Sequence, residues 1–272
     1  MPLRKKPQHN LPWFIERAKT LTPGKHSVPL IVKRGQKKFV FKRSSLGQSL
    51  SLEEAKMMAS AVKDYRSNLH KAGINVSKVN MVAPVRDYSV KGNKYFVASL
   101  EEFINPNNIE QTLTKSSKKV AQTVFSKLVK EVNKAAKVKG RNKFKTGLPM
   151  DTKPKNYVLG KDGKVYFIDF YSPKLMDSKG IIHPYITRLH KTRTRNNLQQ
   201  RFEDKRAMFH ILLAESIATR PDLRRQFEQI TFDFLEKQGA TEILEYLKLA
   251  TKQDYVRPAL VKTETINLIK GR

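Results

Sequence analysis

With 272 residues, 39% of them hydrophobic, and with 14 Phe and 9 Tyr, the chain can bury a core as one large domain or two small lobes, which favours a globular protein over a disordered one. It has no cysteine, so disulfides, zinc–thiolate centres and thiol nucleophiles are excluded. Lys and Arg number 54 against 24 Asp and Glu, a formal charge of +30, and no apolar run approaches the roughly 20 residues of a membrane-spanning helix. The N-terminal Met1-Pro2-Leu3-Arg4-Lys5-Lys6 is charged and is not followed by the apolar stretch of a signal peptide, so a cytoplasmic location is the expectation.

The predicted elements begin with β-rich segments at 28–33 and 38–43 around the hairpin signal Arg34-Gly35-Gln36-Lys37, with room for a short strand before Pro23. Ser51 and Glu54 form a capping box that opens a helix. The apolar face of that helix is Ala55, Met58, Val62, Tyr65 and Leu69, and Gly73 ends it. Strands follow at 79–85 and 95–100, joined through Lys91-Gly92-Asn93, and Pro106 breaks the chain beyond them. From there the pattern is helical: a Lys-rich helix near 115–139 with an apolar stripe of Val120, Val124, Leu128 and Val132, then helices near 196–218, 221–238 and 240–250. The second of these three starts with Pro221 and carries Leu223, Phe227, Ile230 and Phe234 on one side. A hairpin interrupts the helices, 157–159 and 165–170 around Gly160-Lys161-Asp162-Gly163, where the Asp-Gly pair supplies the turn. The expected fold class is α+β, with a β-rich part over 1–104 and a mainly helical part over 105–272.

Positive charge is unevenly spread. Residues 1–47 hold twelve Lys and Arg against Glu16, and residues 115–145 hold eleven against Glu131. A third concentration runs from Arg188 to Arg206, with Arg188, Lys191, Arg193 and Arg195 at its start. A solvated basic surface is one reading. The other is a polyanionic partner, nucleic acid first among them, because self-repulsion of this size destabilises a fold that nothing relieves.

The stretch richest in chemistry is Gly147-Leu148-Pro149-Met150-Asp151-Thr152-Lys153-Pro154-Lys155-Asn156, followed by Ile168-Asp169-Phe170 on the return strand of the hairpin. A loop places Asp151 and Asn156 five positions apart just before a strand, and the hairpin returns Asp169 to the same end. An Asn amide oxygen and an Asp carboxylate are hard ligands that suit Mg²⁺, which fills its remaining positions with water and phosphate. Asp151 beside that metal can orient an attacking hydroxyl and accept its proton. Taken singly, Asp151 can instead be a cap, Asn156 a turn amide and Asp169 a strand-end acid bonded to backbone.

This arrangement resembles the catalytic loop and metal-binding strand of the protein-kinase-like superfamily, and looks closest to the aminoglycoside phosphotransferases, choline kinases and related small atypical kinases. The resemblance covers about residues 15–175. It implies a two-lobed fold, a β-rich N-lobe with one main helix and a helical C-lobe carrying the catalytic hairpin. Phe39-Val40-Phe41-Lys42 looks like the strand whose lysine holds the ATP α- and β-phosphates. Thr22-Pro23-Gly24-Lys25-His26-Ser27 sits where the nucleotide-covering loop belongs, with Gly24 and Ser27 as its contact residues. Tyr95–Phe103 looks like the strand entering the hinge that reads adenine, which places Glu102 there. The helical acid paired with Lys42 is expected among Glu54, Glu53 and Asp64, with Glu54 favoured. Lys153 beside Asp151 would neutralise charge on the phosphoryl group in transfer. The sequence departs from the family pattern at Met150, where a His-Arg or His-Gly pair would end, at Tyr171, where Asp-Phe-Gly would have its glycine, and in having Gly24 as the one glycine of the nucleotide loop.

The resemblance therefore implies an ATP- and Mg²⁺-dependent transferase moving the γ-phosphoryl group to a hydroxyl of a small molecule or of RNA. The alternative is a catalytically inactive kinase-like module that binds nucleic acid or a partner protein through its basic surface.

Overall fold

The computed structural model describes residues 19–20, 27–44, 50–88, 91–169 and 202–252. The class is α+β, with strands in the N-terminal region and helices in the C-terminal part. Two compact units form: Met1–Ala59 with Lys78–Phe103, and Ser60–Ser77 with Ile104–Arg272. A single cut near residue 104 therefore misses that Ser60–Ser77 belongs with the second unit. Its bonds explain the allegiance. Tyr65 donates to the carbonyl of Pro149 at 2.8 Å, the Asn75 amide nitrogen donates to Val165 O at 3.2 Å, and the Phe167 N–H donates to Asn75 O at 2.9 Å.

The first unit is built on a five-stranded antiparallel sheet. Its strands are β1 (Lys19–Thr20), β2 (Ser27–Arg34), β3 (Lys37–Ser44), β4 (Val79–Arg86) and β5 (Tyr95–Glu102), in the spatial order β1-β2-β3-β5-β4. Gly35 makes the β2–β3 turn possible, since its φ of 59° lies in the left-handed region that side chains disfavour. Alternation along β3 and β5 sorts two faces. Phe39, Phe41, Phe96, Ala98 and Leu100 join Leu30, Val32, Met81 and Val85 in one apolar cluster. The opposite positions Lys42, Val97, Ser99 and Glu101 are buried as well.

Helix α1 (Leu52–Lys71) starts at the predicted capping box: Ser51 N–H donates to Glu54 Oε2 at 2.9 Å, and Glu54 N–H to Ser51 Oγ at 3.2 Å. All five residues of its predicted apolar face are buried, and Gly73 follows its end with φ 73°.

In the second unit, α2 (Ile109–Lys115) is a seven-residue helix that sequence periodicity does not predict, capped by Asn108 and Gln111 in a reciprocal box. Helix α3 (Lys118–Lys137) follows Ser117 as its cap. Val124, Leu128 and Val132 are buried as expected, but Val120 is 48% exposed; the inward face is Ala121, Val124, Phe125, Leu128, Val132 and Ala135 instead. Strands β6 (Tyr157–Leu159) and β7 (Val165–Phe167) make the predicted hairpin, shorter on the return side, with Gly163 at φ 74°. Helix α4 (Lys205–Thr219) is apolar on nearly every side and is buried through Ala207–Ala214, the signature of a central helix. Asp204 caps it and holds the Arg206 guanidinium, 2.8 Å from Arg206 Nη2 to Asp204 Oδ2; that hydrogen bond is the main reason the Arg206 proton is held more tightly than usual. Helices α5 (Arg224–Lys237) and α6 (Thr241–Thr251) complete the unit. The Phe227 ring lies 4.2 Å, centroid to centroid, from that of Phe125. On α5 the buried set is Phe227, Thr231 and Leu235, with Ile230 and Phe234 half-buried, so the inward face is rotated from the predicted one. Among the described residues no helix is long and apolar enough to cross a membrane.

Candidate active site

The loop from Gly147 to Asn156 is pinned to its own unit at successive residues. Pro149 O accepts from Tyr65, Met150 N–H donates to Phe202 O at 3.1 Å, and Thr152 Oγ1 donates to Met208 O on α4 at 2.6 Å. Pro154 then opens a single 3-10 turn over Pro154–Asn156, for which its fixed φ is suited, and Asn156 N–H closes that turn onto Lys153 O. The loop is thus a rigid support, with the odd-numbered Asp151 and Lys153 half-buried on either side of fully buried Thr152.

The three residues singled out from sequence converge through backbone bonds. Asn156 Nδ2 donates to the main-chain carbonyl of Asp151 at 3.1 Å, and Asn156 O accepts from Ile168 N–H at 2.9 Å, one residue before Asp169. With its amide nitrogen committed to Asp151, Asn156 has its amide oxygen as the atom suited to a cation. Lys153 Nζ lies 3.4 Å from Asp151 Oδ2. The other oxygen, Asp151 Oδ1, is buried and has no hydrogen-bond partner among the described residues. A buried carboxylate oxygen left without a donor costs about 1–3 kcal/mol or more, so it is a feature to be explained.

Behind the loop lies Tyr157, fully buried, its ring 5.2 Å from that of Phe167. Burial pushes its phenol well above the usual range near 10, and the charges of Tyr65, Asp151, Glu131 and Asp169 push in the same direction. The unfolded chain would lose the Tyr157 proton near pH 10 while the folded chain keeps it. Stability that depends on the neutral ring is then complete below pH 10 and is lost as pH rises beyond it, by up to about 1.4 kcal/mol per pH unit. Tyr157→Phe is expected to flatten this alkaline limb in urea unfolding measured from pH 8 to 11. Because the Tyr157 hydroxyl also has no partner among the described residues, the variant should hold or gain about 1 kcal/mol at pH 7. An unchanged alkaline limb would contradict this placement.

In the first unit Lys42 is buried and donates to Glu101 Oε2 at 2.8 Å, while Ser99 Oγ donates to Glu101 Oε1 at 2.8 Å. The register explains the pair: Lys42 faces Ser99 across β3 and β5, and Glu101 is the diagonal neighbour on the same face. Where Glu54 is expected beside Lys42, the structure shows the Glu101 carboxylate on the ammonium, and Glu54 accepts from the Ser51 N–H in the cap of α1. Glu102 is the last residue of β5. Its side chain is exposed, its N–H donates to Lys78 O at 2.7 Å and the next N–H, of Phe103, donates to Lys38 O at 3.2 Å, so these two backbone donors are engaged within the unit. Ser27 is the first residue of β2, opposite Ser44, and its side chain lies outside the described residues, as do Gly24, Phe170, Tyr171 and the basic run from Arg188 to Arg195. Residues that sequence reasoning missed are Glu101, Ser99, Thr152 and Tyr65.

Among the described residues no group of three or more His, Asp or Glu side chains is gathered to hold a metal by itself. A cation at Asn156 and Asp169 would take its other ligands from water and phosphate, which is the habit of Mg²⁺ and not of zinc or calcium cages. Comparison with protein-family models and with curated proteins finds no match to this chain.

Proposed function

We propose that the chain is an ATP- and Mg²⁺-dependent phosphotransferase of the protein-kinase-like class, transferring the γ-phosphoryl group to a hydroxyl of a small molecule or of RNA. The observation that carries this reading is the buried Oδ1 of Asp151, without a hydrogen-bond partner among the described residues, on a loop tied down at Pro149, Met150, Thr152 and Asn156. A carboxylate held so rigidly, with one oxygen near a lysine and the other awaiting a donor, suits a base that orients a hydroxyl and takes its proton. Asn156 and Asp169 would hold Mg²⁺, which supplies charge neutralisation at the phosphates when bound. Lys153 would add a positive charge beside Asp151 for the phosphoryl oxygens. Lys42 would bind the α- and β-phosphates, its ammonium oriented by Glu101 and Glu101 in turn by Ser99.

The order of strand, strand, strand, helix, strand, strand followed by helices and a hairpin supports the class. Labelled γ-phosphate supplied with Mg²⁺ and with separate RNA, protein and small-molecule extracts is expected to mark one acceptor fraction. Label in the small-molecule or RNA fraction agrees with the reading. A chain that fails to bind Mg-ATP in the same preparation would point to the inactive, partner-binding module.

A further inference from the structure

We propose that the exposed face of α3 docks the phosphate backbone of a nucleic-acid duplex. Lys127, Lys130, Lys134 and Lys137 follow at spacings of three, four and three, and Lys119 lies two turns before Lys127 on the same side. The row spans 18 residue steps, about 27 Å at 1.5 Å each. Its ends and centre point to solvent, with Lys119, Lys127, Lys130 and Lys137 exposed and Lys134 half-buried.

Among the described residues, Glu131 is the acid bonded to this row, and it takes up one lysine, Lys134. Between residues 115 and 145 the one carboxylate is Glu131, which is buried and accepts from Asn75 N–H at 2.7 Å and from Lys134 Nζ at 2.6 Å. Two further lysines are fixed by neutral acceptors, which hold the side chain and leave the charge intact: Lys127 on Gly163 O at 2.8 Å and Lys137 on Gln238 Oε1 at 2.7 Å. The nearest acid on the adjoining turn, Asp162, is committed to Lys164 N–H, Lys164 Nζ and the Tyr166 hydroxyl.

The chemistry of the face selects among polyanions. Insertion at a lipid surface needs an apolar side on the helix, and that of α3 is spent in the core of its own unit. Single strands are held by bases stacked on aromatic rings, and the one aromatic residue of α3, Phe125, is fully buried. A straight, rigid row of cations suits a straight, rigid row of phosphates; duplex DNA offers roughly 16 charges over about 27 Å of axis. Contacts of this kind position a duplex without reading its sequence.

The inference does not rest on phosphoryl transfer, and its test uses the full chain without nucleotide. Binding of a fluorescent 24-base-pair mixed-sequence DNA duplex is followed by anisotropy between about 50 and 200 mM salt. The combined change Lys119→Gln, Lys127→Gln, Lys130→Gln is expected to reduce the slope of log K against log salt by about 2–3 and the affinity at 100 mM by about 10-fold or more. The pair Lys119→Gln, Lys130→Gln, which leaves the Lys127 bond to Gly163 in place, should reduce the slope by about 2 with an unchanged circular dichroism spectrum. Removing the same charge from the β2–β3 hairpin, with Lys33→Gln, Lys37→Gln, Lys38→Gln, should leave the slope nearly as it was. Equal losses from both surfaces, an unchanged slope for α3, tighter binding of the matching single strand, or binding to phosphatidylserine vesicles in place of the duplex would each overturn the proposal.

Discussion

Asp151→Asn is expected to lower phosphoryl transfer by about 10²- to 10⁴-fold while the folded chain melts no lower than the parent. The substitution keeps the shape of the side chain. It also keeps the bond from Asn156 Nδ2, because that bond goes to the main-chain carbonyl of Asp151. What is lost is the negative charge, able to accept a proton and set 3.4 Å from Lys153 Nζ. Asp151 Oδ1 is buried without a partner among the described residues, so the carboxylate weakens the fold there, and a neutral amide relieves part of that cost. Activity and melting temperature should therefore move apart. If both fall together, Asp151 is a structural residue and the base assignment is wrong.

Glu101→Ala is expected to cost about 3–5 kcal/mol, measured by urea unfolding, a large share of the 5–15 kcal/mol typical of a whole domain. Lys42 and Glu101 are 9% and 2% exposed at their side chains, so the ammonium that loses this carboxylate stays in a poorly hydrated place. The Ser99 hydroxyl loses its acceptor in the same step. Glu101→Gln keeps one acceptor oxygen for Lys42, and its NH2 can donate to the Ser99 hydroxyl, so it should cost clearly less, while raising the KM for ATP through a less firmly oriented Lys42. A loss below about 1 kcal/mol for Glu101→Ala would mean that the pair behaves as a surface ion pair, and Lys42 would lose its claim to a buried phosphate site.

The parts of this fold legible in sequence are those set by neighbours in the chain. The β2–β3 hairpin needs Gly35, the β6–β7 hairpin needs Asp162-Gly163, and α1 announces itself through Ser51, Glu54 and a three-and-four apolar spacing. Asp151, Asn156 and Asp169 were legible for the same reason, since five residues and one hairpin are enough to bring them to one end. What failed depends on partners distant in sequence. The Glu101 carboxylate meets Lys42 because β5 lies between β3 and β4, a strand order that alternation along one strand does not reveal. Thr152 and Tyr65 reach carbonyls 56 and 84 residues away. Helix α2 is too short for periodicity to register, although Asn108 and Gln111 stood in the sequence as its cap. Val120 fits the apolar stripe of α3 by spacing but falls in its first turn, where the inward face is already carried by Ala121 and Val124.

The central claim, that Asp151, Asn156 and Asp169 form a phosphoryl-transfer site, is tested most directly by Mg²⁺-dependent turnover of γ-labelled ATP in the parent chain and in Asp169→Ala. The parent should turn over nucleotide only with Mg²⁺ present, and Asp169→Ala should show no turnover while keeping its circular dichroism spectrum and melting temperature. Undiminished turnover in Asp169→Ala would contradict the account.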